Sequence, residues 1–465
     1  MNWAEQEMEG VSVGDKRLNR RIALVLERLA ERPDQSIPCA SNGWIETQAA
    51  YRLLDNEKVS FEKILEPHYD KSVERMGRVK RAICIADSTE FDYTRQRKSM
   101  EGIGPLNYEN RRGLLGHFLL AASEQGVPLG VVGADLWVRE DQSLGDGDRR
   151  KTKKLQDKES ARWVDMARQC CELTKRLPET QVVYVADREA DIHELLLEIT
   201  ELREQRVDLV VRSQNNRSQG EGQPYIREAV AAAPCLGEIH FELTKTPKRQ
   251  ARDVRAQVRS CTVDLRGPRR PAEGGSLPSI EMNLVHVREV DAPEREMDAP
   301  EPPIEWFLLT TLPIATHAEV QEVINIYRTR WTIEVFFRIL KTGCKVQELQ
   351  LEHVDRVRCA LTLYLIVAWR VHFLTMLGRS VPELSCEAVF APEEWQAIWV
   401  VSQRKPAPQE PPTLEQMIRM VASFGGFLGR KSDGFPGPKA IWIGIQRTRD
   451  FVAALRAHKE AATYA

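Results

Sequence analysis

Ile83-Cys84-Ile85-Ala86-Asp87 and Val182-Val183-Tyr184-Val185-Ala186-Asp187 are two short apolar runs, each closed by an aspartate. Runs of this length and composition read as strands buried on both faces. After the second run, residues 191–204 carry a helical pattern and Val207 to Arg212 reads as another strand. Between the runs, Leu114 to Ala122 and Val127 to Leu136 read as a hairpin turning near Gln125-Gly126, and 157–177 as a helix. Strands alternating with helices predict an α/β chain with a central mixed sheet and helices on its faces.

Outward from that core, the first 75 residues read as a small helical bundle. Asp15 stands where it can cap a helix whose apolar members include Leu18, Ile22, Val25, Leu26 and Leu29, and Arg32-Pro33 ends it. Two more helices are expected, from Glu46 to Leu54 and from about Ser60. From 213 to 303 the helical pattern stops. Strand-like runs at Ile239 to Leu243, Ala256 to Leu265 and Ile280 to Val290 suggest an inserted β-rich module. A strand from Ile304 to Thr311 returns to the core, a long helix runs from His317 to Thr342, and helices continue past a Pro-rich linker at 405–412. The expected division is 1–75 helical, 76–375 the α/β core with its insertion, and 376–465 helical.

Composition bounds the function. The chain has 465 residues, 42% hydrophobic and 29% charged, with a net charge of −2. That composition fits a water-soluble globular protein. The longest apolar run, Ala360 to Trp369, is shorter than the ~20 residues a bilayer needs. No secretory signal is apparent at the start, so a cytoplasmic location with no membrane partner is expected. Nine cysteines without a CxxC pair read as reduced and structural, and no zinc site is expected. Charge is nevertheless segregated: Lys245 to Arg270 holds nine basic residues against two acidic ones, a DNA-backbone surface or an ordinary solvated hairpin.

The chemistry is suggested by the carboxylates. Ligand sites of α/β sheets lie at the carboxyl ends of strands. Two carboxylates side by side there repel unless a cation lies between them, and Mg²⁺ accepts one or two carboxylates together with substrate phosphates. Taken singly, each aspartate also reads as a strand-end turn residue or a helix cap. On the helix 317–342, Tyr327, Arg330, Glu334, Arg338 and Lys341 fall on one stripe, with Ile326, Ile333, Phe336, Ile339 and Leu340 opposite. A stripe roughly 21 Å long suits a polymer backbone better than a small molecule. It also reads as a solvated face of Glu–Arg pairs.

The stretches Asp87-Ser88-Thr89, Val185-Ala186-Asp187-Arg188-Glu189-Ala190-Asp191-Ile192-His193, and Tyr327, Arg330, Glu334 and Lys341 at Y-(2)-R-(3)-E-(6)-K spacing resemble the DDE transposases of the insertion-sequence-four family, found in composite bacterial transposons. The resemblance extends to Gly14-Asp15-Lys16-Arg17 and Gly425-Gly426-Phe427. It implies a ribonuclease-H-like core with an inserted β domain. Asp87, Asp187 and Glu334 are then the catalytic residues and the ligands of two Mg²⁺ ions, with Mn²⁺ expected to substitute. It implies cleavage at the ends of a mobile element and joining of the 3′ ends to target DNA. Tyr327, Arg330, Arg338 and Lys341 are then DNA-binding. Trp306 matches a position that stacks a flipped base, and Arg212 a strand-end basic residue. Core packing and a local salt bridge are the plain alternatives for these two.

The N-terminal bundle, through Lys16, Arg17, Arg20 and Arg21, is implied to recognise the terminal inverted repeats in double-stranded DNA. The C-terminal helices are implied to form a homodimer in the synaptic complex. Glu189 and Asp191 read as supporting residues, and His193 as a helix-surface histidine. Two other functions share the same triad: a ribonuclease-H-like nuclease or resolvase without strand transfer, and a domesticated, non-catalytic DNA-binding protein.

Overall fold

The computed structural model describes residues 2–108, 110–141, 156, 158–201, 207–243, 252–270, 275–290 and 303–463. Lys245, Lys248 and Arg249 of the basic segment lie outside the described residues. In chain order the strands are β1 (Arg81–Asp92), β2 (Gly104–Pro105), β3 (Arg112–Ala122), β4 (Pro128–Trp137), β5 (Gln181–Ala186), β6 (Val207–Arg212), β7 (Cys235–Leu243), β8 (Arg252–Leu265), β9 (Arg269–Arg270), β10 (Gly275–Ser276), β11 (Ile280–Val290) and β12 (Glu305–Thr310). The residues gather into two compact units. One comprises Met1–Met76, Ser88–Leu144 and Thr332–Ala465, the other Gly77–Asp87 and Gly145–Trp331. The boundary falls inside β1, between Asp87 and Ser88, and again between Trp331 and Thr332.

The second unit is built on a mixed sheet in the order β1-β5-β6-β12-β11-β8-β7. β1, β5 and β6 are parallel, and from β6 outward each pairing is antiparallel. Ala82 to Ala86 and Val182 to Ala186 are fully buried, as strands covered on both faces must be. The helices Ala161–Arg176, His193–Glu201 and His317–Thr329 pack against the sheet. Thr316 and Glu319 form a capping box at the start of the last of these.

The β-rich insertion is not a sheet of its own. β11 pairs with β12 over Asn283 to Arg288, and β8 and β7 follow, so the insertion prolongs the central sheet. The physical reason is that β12 would otherwise present a row of unpaired backbone groups.

In the first unit, β3 and β4 form the expected hairpin, and β2 pairs with the start of β3 at Arg112 and Gly113. β1 is longer than the sequence suggested, running on to Asp92 instead of stopping at Ala86. Phe91 and Tyr93, both fully buried, anchor that extension.

The centre of this unit is the helix Val354–Ser380. It corrects the expectation that no apolar stretch is long enough to cross a bilayer: by length and composition this helix is, with a window of mean hydropathy 1.6. Of that window 78% is buried inside the protein, so it serves as a core helix. It packs against the N-terminal helices Lys16–Glu31 and Phe61–Met76, against β4, and against the C-terminal helices Leu414–Phe424 and Pro438–Thr463.

The long helix expected from 317 to 342 is three pieces: His317–Thr329, Trp331–Arg338, and a π-helical turn Ile339–Gly343 closed by Cys344 N–H donating to the Ile339 carbonyl. Such wide turns occur mostly as single-turn bulges, often at functional positions.

Candidate active site

The register of the parallel strands brings the two aspartates together. Ile85 pairs with Val185, so Asp87 and Asp187, each two residues further on, lie at one level of adjacent strands. Asp187 follows β5 directly, whereas Asp87 is inside β1, at the point where its pairing with β5 has ended. Ala186 pairs with Val211 and Arg212 with Leu308, which places Arg212 beside Asp187 on β6. Trp306 lies two residues before Leu308 on β12. Four neighbouring strands thus each contribute one of the residues singled out in the sequence.

Charge compensation between the aspartates comes from the helix ends above them. Arg330 reaches Oδ2 of Asp87 at 3.2 Å and Oδ2 of Asp187 at 3.9 Å, one guanidinium between two carboxylates. Tyr327 donates its hydroxyl to Oδ1 of Asp187 at 3.2 Å, and Arg212 stands 3.7 Å from the same oxygen. Asp187 makes no side-chain cap on the turn Arg188–Ala190 that follows it, so the plain reading of this residue as a helix cap does not hold. Burial, followed by the negative charge of Asp187, pushes the Tyr327 phenol up to about 12. Tyr327 and Arg330 are themselves buried. The sequence reading put both on DNA phosphates; here both face the aspartates.

Trp306 packs among aromatic rings, as its core-packing alternative has it. One face stacks on Phe241 at 5.5 Å between ring centroids, and its ring meets Tyr327 edge-on at 5.4 Å. It is nevertheless only half-buried. Arg212 likewise forms a local salt bridge, but its partner is Asp187 itself.

Glu334, Arg338 and Lys341 belong to the first unit. Glu334 is half-buried and Arg338 exposed, while Lys341 sits over the Phe91 ring at 5.8 Å. The five apolar residues expected on the opposite side of the stripe are all buried. Among the described residues no group of three His, Cys, Asp or Glu side chains is gathered as a metal site. The donor set still suits Mg²⁺. Asp87 and Asp187 offer hard oxygen ligands, and both already approach one cationic group.

His193 was placed differently by the sequence, whereas Asp191 supports the site as read. His193 is buried, not on a helix surface, and its Nε2 lies 2.8 Å from the Pro278 carbonyl. Asp191 is a buried anchor for the turn after β6. It accepts from the backbone of Gln214 and Asn215 and from Arg217, and so fixes the chain just beyond Arg212.

Among the N-terminal cations, Lys16, Arg17 and Arg20 are exposed and Arg21 half-exposed on the helix Lys16–Glu31. Sequence reasoning missed Trp44 and Ile45, which open the helix Trp44–Leu54 and are 72% and 84% exposed. Only the position of an apolar pair at a helix start hinted at this, and such residues normally turn inward.

Three family models match in succession: a transposase DNA-binding model over residues 1–59, a transposase DDE domain over 147–370, and the transposase Tn5 dimerisation domain over 366–464. The chain is a DDE transposase. The matched DDE stretch contains Asp187 and Glu334 and begins after Asp87. DNA and a second copy of the transposase are its partners by the DNA-binding and dimerisation matches. A solved structure similar to the transposase is the cryo-EM synaptic complex of the piggyBac transposase with hairpin DNA. It is 10% identical, with a TM-score of 0.36, over 81% of this chain and 72% of that one.

Proposed function

We propose that this transposase belongs to the insertion-sequence-four group and carries a ribonuclease-H-like core. On this reading it binds the terminal inverted repeats of its own element, cleaves there, and joins the 3′ ends to target DNA as a homodimer at the bacterial nucleoid, in the cytoplasm. The observation that supports this best is the pairing of Asp87 and Asp187 at one level of adjacent parallel strands. The YREK spacing of Tyr327, Arg330, Glu334 and Lys341 stands beside it.

In this reading Asp87, Asp187 and Glu334 hold two Mg²⁺ ions, or Mn²⁺ in their place. Bound there, the ions supply an activated water or 3′-hydroxyl and stabilise the leaving oxygen of an in-line displacement. The protein's own work is positional. Tyr327 holds Asp187 in one rotamer through its hydroxyl. Arg330, Arg338 and Lys341 offer charge to phosphates along the strand. Trp306, half-buried, offers its exposed part to an unstacked base, since a base stacked on indole offsets part of the unstacking cost. Lys16, Arg17, Arg20 and Arg21 meet the backbone of the end sequence.

The test is incubation of the protein and Mg²⁺ with the DNA that flanks its own gene. Released ends followed by joined products support the reading. Nicked ends that never join favour a nuclease, and binding without any cleavage favours a domesticated DNA-binding protein.

A further inference from the structure

Arg330 occupies a position that divalent cations need. Its guanidinium lies 3.2 Å from an oxygen of Asp87 and 3.9 Å from an oxygen of Asp187. A Mg²⁺ ion coordinates such oxygens at about 2.0–2.1 Å. An ion between the same two oxygens therefore takes the space the guanidinium fills. Arg330 is buried, so its charge is not dispersed into water. The other groups facing Asp187 are already in place on its far oxygen: the Tyr327 hydroxyl and Arg212 both lie at Oδ1, whereas Arg330 lies at Oδ2. Of the three, Arg330 alone reaches both aspartates in these contacts.

We infer that Arg330 is the resident counter-ion of the Asp87–Asp187 pair, and that divalent cations enter as its guanidinium moves off to a DNA phosphate. This rests on the reading of the two aspartates as metal ligands. A guanidinium binds phosphate in a two-pronged geometry at least as well as carboxylate. DNA arriving at the site thus draws Arg330 away and exposes the carboxylates. Linkage makes the effect reciprocal: metal displaces Arg330 and strengthens its grip on DNA. The consequence is restraint. Without DNA the site is neutralised from within and binds metal weakly, which keeps activated water from forming where there is no substrate.

The experiment is Mn²⁺ binding to the full chain without DNA, by calorimetry and by the free-Mn²⁺ spin-resonance signal. Arg330→Gln is expected to tighten Mn²⁺ binding by roughly tenfold, within the range usual for coupled sites. Arg330→Lys, which keeps the charge but loses the fork, is expected to fall between it and the parent chain. Arg212→Gln removes an equal charge from Asp187 without bridging and is expected to change binding by less than about threefold, since a pair at that spacing contributes little. If Arg212→Gln tightens binding as much as Arg330→Gln, net charge explains the effect and the counter-ion role is overturned. Unchanged binding in Arg330→Gln also overturns it.

The double variant Arg330→Gln/Asp87→Asn separates this outcome from the reading beneath it. If it binds Mn²⁺ as well as Arg330→Gln alone, the aspartate is no ligand and the metal reading fails. Thermal unfolding guards against a folding defect: Mn²⁺ is expected to raise the melting temperature of Arg330→Gln more than that of the parent chain, which a merely structural arginine would not produce.

Discussion

Tyr327 donates its phenolic hydrogen to Oδ1 of Asp187 at 3.2 Å, joining a helix that the sequence places 140 residues away to the end of β5. The bond matters because a ligand carboxylate held from outside keeps its geometry, and losing such support typically costs 10- to 100-fold in metal affinity or activity. Tyr327→Phe is expected to slow end cleavage by about that factor while end binding stays within about twofold. Gel-resolved cleavage and binding of one labelled end check both. Because the phenol is raised to about 12, it stays protonated through the working range. A cleavage profile that falls off around pH 10 in the parent chain but not in Tyr327→Phe would show the assignment to be wrong.

Asp87→Asn, Asp187→Asn and Glu334→Gln are expected to lower cleavage by at least about a thousandfold each, with retained affinity for the ends. Carboxylates that hold the ions as proposed act as one unit, so removing any member removes most of the rate. Cleavage of pre-nicked and intact ends, scored alongside filter binding, reads the two effects separately. A Glu334→Gln chain that cleaves within tenfold of the parent rate would take Glu334 out of the triad.

The N-terminal helices should divide DNA binding into two separable parts. Alanine at Lys16, Arg17, Arg20 and Arg21 together is expected to flatten the plot of log affinity against log salt by roughly 3 to 4 units of slope, about 0.9 for each phosphate no longer neutralised. Trp44→Ala and Ile45→Ala are expected to weaken binding to the true end by about tenfold and to leave that slope alone, because apolar side chains release no counterions. Titrations at four salt concentrations decide it. A change of slope in Trp44→Ala contradicts the second half.

Acid should loosen the first unit through its buried Glu7–His68–Arg75 cluster. His68 Nδ1 lies 2.5 Å from Glu7, its Nε2 accepts from the Val131 amide, and Arg75 holds Glu7 at 2.9 Å. Burial opposes the charge of Glu7, but the hydrogen bonds and charges of His68 and Arg75 outweigh it and hold the carboxyl at about 2, against a usual 4.5. Burial likewise pushes His68 below its usual value. Both folded-state values are depressed, so the unfolded chain takes up protons that the folded chain refuses. The stability from His68 is lost as pH falls below about 6.5, and that from Glu7 from about 4.5 downward. Glu7→Gln is expected to destabilise the protein by about 3 kcal/mol at neutral pH, the usual cost of leaving a buried partner unpaired. It should also flatten the decline in melting temperature between pH 5 and 3. An unchanged decline would place the acid lability elsewhere.

Much of the architecture was legible because it is written in local periodicity. β5, β6 and β11 begin and end where the local strand-like runs put them, and Asp15 caps the helix Lys16–Glu31 as its position suggests. The extension of β1 past Ala86 was not legible, since Ser88, Thr89 and Glu90 are no more strand-like than loop-like until Phe91 finds its place in the core. His193 was misplaced for a similar reason: its carbonyl partner, Pro278, is 85 residues away.

The order of strands and helices, the carboxylates at the ends of apolar runs and the spacing of Tyr327, Arg330, Glu334 and Lys341 belong to the sequence alone, because each depends on residues within a few positions of one another. Tertiary structure decided what faces what. Only strand register could put Asp87 level with Asp187, only packing could bury Arg330 between them, and only the free edge of β12 could recruit the insertion into the central sheet. These outcomes turn on backbone pairing and charge compensation between residues scores of positions apart, which no local pattern encodes.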